Sequence, residues 1–483
     1  ADLALDATDV LLLVSLLAAA LLVNNVLQKW RVPVPEAIST IAIGIAAGGG
    51  ARLCPGVTRT TFAKLEAASA RQFMLVFIAP IVFAEGYGLK SRQFFQHLTR
   101  ILTHAFLGTL ISTLVVAAMV FYLPQLTGFS PRVALAFSEC LAFGAMISST
   151  DPVTTLAIFK EQNMVEGGLG HLYYSVLGES ILNDAVAITL FSSFSGLVTE
   201  GQDVSGSTAC QALATFCITF AGSTALGMAG GAITALVLKI ARLGSGSGQE
   251  EHFSFNTPEI GVTLVLAYVP FLAAEAADLS GIVSVMFAGI TMRRYAHYNL
   301  TEVTRTVLLP TVELLASLCE TYLFLVLGLG VFELASDYSA SLILWSMAAC
   351  LVGRAAHVYP LSWAVNCCSA ARRLTRSEQH MVWFAGLRGA IAFTCAIDFP
   401  RNPEGSHRDL FLCTTVVIVG TSTVVFGWPT AAVMRCLDIQ AAAASQEAAS
   451  GPEPPAAARA CACSPLGPPA ASSLSRFGEV ARR

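Results

Sequence analysis

The sequence predicts an all-α polytopic membrane protein of about thirteen transmembrane helices, built from inverted repeats with two broken helices that cross. Three observations lead there. Apolar residues make up 55% of the 483 positions and charged residues only 12%, against about 25% charged in soluble domains. Apolar stretches near the ~20 residues that span a bilayer recur as far as position 436. Two of these stretches are interrupted by charge, glycine or proline, and they lie seven spans apart. A soluble chain of this composition, with mean hydropathy +0.66, would expose large apolar patches.

The candidate spans fall roughly at 9–28, 34–50, 71–89, 101–123, 131–160, 171–197, 207–240, 255–274, 279–292, 307–333, 339–366, 378–399 and 408–436, placed by length and apolarity. The first run, Val10 to Leu27, lacks a basic n-region and a cleavage site, so it reads as a retained helix. The ninth is short. Gly244 to Gly248 alternates Gly and Ser and reads as a flexible linker between the seventh and eighth spans. Beyond the spans, residues 437–483 are rich in Ala and Pro, cannot bury a core, and read as a short disordered cytoplasmic tail.

Loop charges set the orientation. Alternate loops carry Lys29, Arg31, Lys90, Arg92, Arg100, Lys160, Lys239, Arg242, Arg293, Arg294, Arg305, Arg372, Arg373 and Arg376, with Arg435 at the last end. The opposite set holds Arg52, Arg59, Lys64, Arg71, Arg132, Arg401 and Arg408. The richer side is cytoplasmic by the positive-inside rule, which puts the C-terminus there too. Asn299-Leu300-Thr301 is a formal glycosylation sequon, but it falls in a cytoplasmic loop and should stay unmodified. The net charge of −4 argues against a nucleic-acid partner. The thirteen cysteines show no metal-ligand spacing and read as packing residues. With no nucleophile–histidine constellation and no phosphate-binding loop, the chain reads as a non-enzyme that needs no cofactor.

The chemistry sits in four spans. In the fifth, Ser148, Ser149, Thr150 and Asp151 cluster just before Pro152. A proline removes a backbone donor, and the polar cluster beside it predicts a broken helix whose freed carbonyls line a cavity. In the twelfth, Arg388 lies mid-span between Gly386 and Gly389, which permit an unwound backbone. Seven is odd, so repeats offset by seven helices run in opposite directions, the logic of inverted repeats whose broken helices meet near the midplane. Asp151 would compensate the helix ends of the first break and Arg388 those of the second.

The sixth span carries Glu179, Ser180, Asn183 and Asp184. Ser180 and Asp184 are one turn apart and share a face, while Glu179 points elsewhere. A carboxylate inside hydrocarbon is a functional-site hypothesis by default. Asp184 reads as the ion-binding group. Glu179 needs a permanent cation, either Arg354 of the eleventh span or Arg388, in a structural ion pair. Of the remaining embedded acids, Glu320 lies deepest and is a candidate cation funnel, and Glu275 stands at a helix end beside Asp278.

At these residues the chain resembles the eukaryotic sodium/proton exchanger family of the monovalent cation/proton antiporter superfamily. The resemblance rests on Ala79-Pro80-Ile81-Val82-Phe83 with Gly86-Tyr87, Ala105 to Thr109, Thr150-Asp151-Pro152-Val153 and Gly178 to Val186. It continues through Ser280 to Val283, Glu320 to Phe324, Gly353-Arg354-Ala355, Tyr359 to Ser362 and Phe384 to Ala390. It implies the sodium/proton antiporter fold and a homodimer. The moving core would be roughly 101–197 and 339–436, the dimerisation unit roughly 9–89 and 255–333, and the linker helix 207–240. It implies exchange of one Na⁺ (alternatively K⁺ or Li⁺) for one proton, electroneutral because Asn183 precedes Asp184 where electrogenic relatives carry two aspartates. Asp184 would be alternately protonated and cation-bound, with Na⁺ held at Asp184 and Asp151 and helped by Thr150, Ser180 and Asn183. It favours Glu179 with Arg354. One departure stands out: where family members usually place an acidic residue or Asn directly after the residue matching Phe83, this chain has Ala84, and Glu85 follows about 100° further round the helix, so a role for Glu85 does not carry over. Such an exchanger would sit in an endomembrane or the plasma membrane and regulate pH. K⁺/H⁺ exchange, a cation channel and a non-transporting scaffold are the competing classes.

Overall fold

The computed structural model describes residues 7–30, 35–53, 74–89, 91–128, 135–151, 155–156, 159, 170–201, 204–241, 257–333, 338–368, 373–400, 407–427 and 429–437. Every regular element among them is helical. Pro152, the Gly244–Gly248 linker and the Ala/Pro-rich tail lie outside the described residues.

Helices α1 (Ala7–Lys29) and α2 (Glu36–Leu53) lead into a π-wound turn, Met74–Ile78, that continues as α3 (Ala79–Gly88). After the short α4 (Ser91–Gln96) comes α5 (Leu98–Thr127), then α6 (Phe137–Ile147), α7 (Gly170–Thr199) and α8 (Gly206–Ala241). Helices α9 (Thr257–Ala276), α10 (Gly281–Thr291), α11 (Glu302–Glu333) and α12 (Ala340–Cys368) follow. The chain then forms α13 (Arg376–Phe384), α14 (Ala390–Ile397), α15 (Arg408–Ser422, extended by a π-wound turn to Gly427) and α16 (Thr430–Cys436).

Eight of these are long and apolar enough to cross a membrane, and three shorter apolar helices, Glu36–Gly50, Val76–Gly88 and Phe137–Ile147, accompany them. With α10 and the α13–α14 pair, the described residues hold thirteen candidate crossings. Leu11, Ile218, Ile240, Val265 and Trp363 are each at least 67% exposed. Such side chains belong against lipid, because a water-facing surface would not leave them bare.

Small residues let the helices approach. An ideal Cβ built on Gly44 would stand 2.5 Å from the Leu325 carbonyl oxygen, and one on Gly328 2.5 Å from that of Ile41. The α2–α11 crossing therefore accepts only glycine at its centre, the usual device of membrane helix pairs. Helix α10 packs between α3 and α8, while α5 packs against both α6 and α12.

The last crossing is shorter than the sequence suggests. The run 408–436 was expected as one span, but the helix through Arg408 stops at Gly427 and α16 restarts after Pro429. Pro429 has no amide hydrogen to continue the ladder.

Two helices are broken. Helix α6 ends at Ile147, and the chain is non-helical from Ser149 to Asp151. Helix α13 ends at Phe384, and the backbone runs unwound to Gly389, which is extended at φ −121°, ψ −167°. The two breaks touch: the Asp151 amide donates to the Leu387 carbonyl at 2.9 Å. Freed backbone groups of one helix thus satisfy those of the other, as an apolar interior demands.

Candidate functional site

The site begins at this crossing. Arg388 is 2% exposed, and its Nη1 donates to the carbonyls of Ser148 and Ser149 at 3.1 and 3.0 Å. Those carbonyls are the open C-terminal end of α6, where the helix dipole is negative. Asp151 lies against Gly389, the residue that opens α14. A Cβ at Gly389 would stand 2.5 Å from Asp151 Oδ2 and 2.7 Å from its Cγ. The arrangement differs from the sequence expectation, in which each charge serves its own break. Here each charge faces the helix end of the other break: Arg388 the C-terminus of α6, Asp151 the N-terminus of α14. The physical reason is the crossing itself, which puts each side chain nearer the partner's ends than its own.

Helix α7 passes beside the crossing and supplies the polar face. Ser180 Oγ donates to the Thr150 carbonyl. Asn183 Nδ2 donates to the Ser148 carbonyl at 3.1 Å and to Thr150 Oγ1 at 2.9 Å, and Asn183 Oδ1 accepts from Thr109 Oγ1. Both amide hydrogens of Asn183 and its oxygen are therefore engaged. Asn183, expected among the ion ligands, is a strut that fixes the unwound segment to α7 and α5, and its Oδ1, with one bond accepted, keeps a lone pair. The Ser180 hydroxyl has donated its hydrogen, and the Thr150 hydroxyl accepts one bond; each oxygen keeps lone-pair capacity for a cation. Asp184 is 5% exposed, and its Oδ1 has no hydrogen-bond partner among the described residues.

Glu179 faces away from this cluster, on another side of α7. Arg354 Nη1 donates to Glu179 Oε1 at 2.6 Å, and Nη2 to the Val382 carbonyl at 3.0 Å. Of the two arginines considered for Glu179, the contact is with Arg354, since Arg388 is turned onto α6. Two histidines flank this pair. His357 holds the Gly353 carbonyl through Nδ1 at 2.9 Å, and its Nε2 stands 3.5 Å from Arg354 Nη1. His104, Glu179 and His357 offer ligand atoms within 4.8 Å of one another, but the Arg354 guanidinium already occupies the carboxylate that a cation would need.

Further acids approach from the other helices. Glu85 acts electrostatically on Asp184 and Asp151, and its Oε2 is buried with no hydrogen-bond partner among the described residues. Glu320 on α11 interacts electrostatically with Asp151 and Glu85. The displacement by one position that set Glu85 aside in the sequence did not carry it away from the site. Sequence reading also missed Thr109 and Ser422; Ser422 Oγ accepts the Arg388 amide at 3.2 Å. Thr109 stands in the Ala105–Thr109 motif, whose polar residue was the available signal. Nothing local marks Ser422.

A many-helix membrane protein whose two broken helices cross beside a buried acid is a secondary transporter. The family model described as sodium/hydrogen exchanger, transmembrane, matches residues 13–436. Sodium/hydrogen exchanger 8 of Homo sapiens is 35% identical over 434 residues, covering 89% of this chain and 71% of that protein. Sodium/hydrogen exchanger 9 of Homo sapiens is 37% identical over 374 residues, covering 76% of this chain and 55% of that protein. Among solved structures, the sodium proton antiporter MjNhaP1 from Methanocaldococcus jannaschii matches with TM-score 0.63 at 15% identity, over 89% of this chain and 98% of that one. The last is a likeness of fold alone. The chain belongs to the sodium/hydrogen exchanger family.

Proposed function

We propose that this protein exchanges Na⁺ for H⁺ across a membrane by alternating access, one cation for one proton, with Asp184 as the group that either ligand neutralises. The observation that carries the reading is the buried Asp184 Oδ1 left without a hydrogen-bond partner beside the broken crossing. An empty carboxylate there is charged, and moving it through hydrocarbon is expensive. A proton or Na⁺ removes that charge, so only the loaded site crosses. The two ligands compete for one group, which couples their fluxes without another energy source.

Na⁺ takes several oxygens. Asp184, the Ser180 and Thr150 hydroxyls, and Asp151 are the oxygens we assign to it, with Glu85 and Glu320 drawing cations inward. Asn183 and Thr109 hold the unwound segment in place. Arg354 and Glu179 brace α7 against α12. We further assign the core to roughly 101–197 and 339–436 and the dimer contact to roughly 9–89 and 255–333, with two copies per assembly and a cytoplasmic C-terminus. The residue before Asp184, an asparagine rather than a second acid, supports an electroneutral cycle.

The test is purified protein in proteoliposomes with an imposed pH gradient, adding Na⁺, K⁺ or Li⁺ in turn. Dissipation by Na⁺, abolished in Asp184→Asn and indifferent to a clamped membrane potential, is the expected result. Wild-type activity that persists in Asp184→Asn would remove Asp184 from the role. A rate that follows the membrane potential would overturn the one-for-one stoichiometry.

A further inference from the structure

Two histidine–carboxylate contacts, one buried and one partly buried, take no part in the scheme above. Glu139 is the third residue of α6. Its Oε2 accepts the Ala136 amide at 3.0 Å, and His407, the residue before α15, brings Nδ1 to 3.0 and 2.9 Å from Oε1 and Oε2. Glu378 is the third residue of α13. Its Oε2 accepts the Thr375 amide at 2.7 Å, and His171, in the first turn of α7, brings Nε2 to 2.8 Å from Oε1.

The two contacts are one motif, repeated. Glu139 and Glu378 are each the third residue of a helix that breaks, and each accepts the amide of the residue three positions before it. Each glutamate caps the start of a broken helix and holds the start of the helix that follows the other break: α6 is tied to α15, and α13 to α7. The two broken helices are seven crossings apart and run in opposite directions, so the contacts lie on opposite faces of the membrane. Resting on the exchanger reading above, we propose that Glu139–His407 and Glu378–His171 are paired clamps that lock the inverted repeats together, one at each face, and that proton binding to each histidine tightens its clamp. Loop charge puts Glu378–His171 on the cytoplasmic face.

The chemistry is that of a charge-assisted bond. A protonated imidazole adds a charge–charge attraction to the hydrogen bond that a neutral one already makes to the same carboxylate, and histidine is the side chain suited to change charge near neutrality. The histidine and glutamate side chains are 6% and 2% exposed in one clamp, 21% and 3% in the other, so both carboxylates are shielded from competing water. Facing His171 are Glu378 on α13, His97 at 6.5 Å between rings, and Arg100 of α5, which reaches Ser175 at 3.4 Å. Burial, then Arg100 and His171, hold His97 down at about 4, so it is neutral at pH 7 and does not compete for Glu378. Facing His407, among the described residues, is Glu139. On its own helix, Arg408 lies 3.5 Å from Asp409 and donates to the Ile397 carbonyl.

The test uses the full chain in proteoliposomes of determined orientation, with the pH on each side set independently. His407→Gln is never charged and His407→Lys always charged; His171→Gln and His171→Lys are the mirror pair. Each His407 variant should remove at least about threefold of the rate dependence on pH between 6 and 8 at the non-cytoplasmic face, and leave the dependence on cytoplasmic pH intact. The His171 variants should do the reverse. The Gln forms should behave as wild type at high pH, the Lys forms as wild type at low pH. Uniform scaling of the rate at every pH on both faces would mean that the histidines only fill space, and would overturn the clamps. Should wild-type protein exchange no cation, the exchanger reading fails by itself. The clamps then stand or fall on melting temperatures of Glu139→Gln, His407→Gln and the double variant: non-additive shifts larger at pH 6 than at pH 8 support them, and additive shifts sink them.

Discussion

Arg388, in the break between α13 and α14, donates from Nη1 to the main-chain carbonyl of Ser149, in the break after α6, at 3.0 Å. One side chain thus closes the open end of a helix that belongs to the other repeat. Removing it strands the buried Ser149 carbonyl, at about 1–3 kcal/mol, while the Ser148 carbonyl keeps the Asn183 amide. Arg388→Met should therefore lower the melting temperature of the purified protein by at least about 2 °C and stop exchange. An unchanged melting temperature would show that the guanidinium is not what holds the end of α6.

The Glu179–Arg354 pair, 2.6 Å apart with both side chains 6% exposed, should behave as a unit. Loss of either partner strands a buried charge, typically at 3–5 kcal/mol. Glu179→Gln and Arg354→Met should each destabilise strongly, and the double variant less than the sum of the two. Thermal unfolding in detergent reads this directly, and strict additivity would mean that the two side chains do not depend on each other.

Asn183 invites the substitution Asn183→Asp, which would recreate the paired aspartates of electrogenic relatives. The structure predicts damage instead. A carboxylate cannot donate to the Ser148 carbonyl or to Thr150 Oγ1, the two acceptors that Asn183 now serves. The Ser148 carbonyl keeps the Arg388 donor, so about 1–3 kcal/mol should be lost, chiefly at Thr150 Oγ1. Asn183→Asp should melt earlier and lose transport, without gaining a current in a potential-clamped vesicle assay. A stable, electrogenic variant would overturn the strut.

Asn299 should carry no glycan. Its Nδ2 donates to the Ala235 carbonyl at 2.8 Å, and the nitrogen that a glycan would need is held against α8. Digestion with peptide N-glycosidase of protein made in eukaryotic cells should leave gel mobility unchanged.

Much of the crossing was legible in one dimension. The Thr150-Asp151-Pro152 cluster and the glycines around Arg388 are local signals for unwound backbone, and the odd interval between them carries the inversion. Glu179 and Asp184 fall on different faces of α7 by helical geometry alone. Glu85, Thr109, Ser422, His171 and His407 were not legible in the same way. Each acts on a residue far along the chain, and nothing in its own neighbourhood says which.

The sequence by itself determined the class of the protein: apolar runs of bilayer length, opposed loop charge, two interrupted spans and the acids within them. Those are properties of local composition and periodicity, which any membrane setting reads in the same way. Tertiary structure alone decided the pairing. It turned Arg388 onto α6 rather than α14, laid Asp151 against Gly389, made Asn183 a strut, and joined Glu139 to His407 and Glu378 to His171. A hydrogen bond or ion pair depends on which helices cross and at what depth, and that is set by packing over the whole bundle rather than by any one segment.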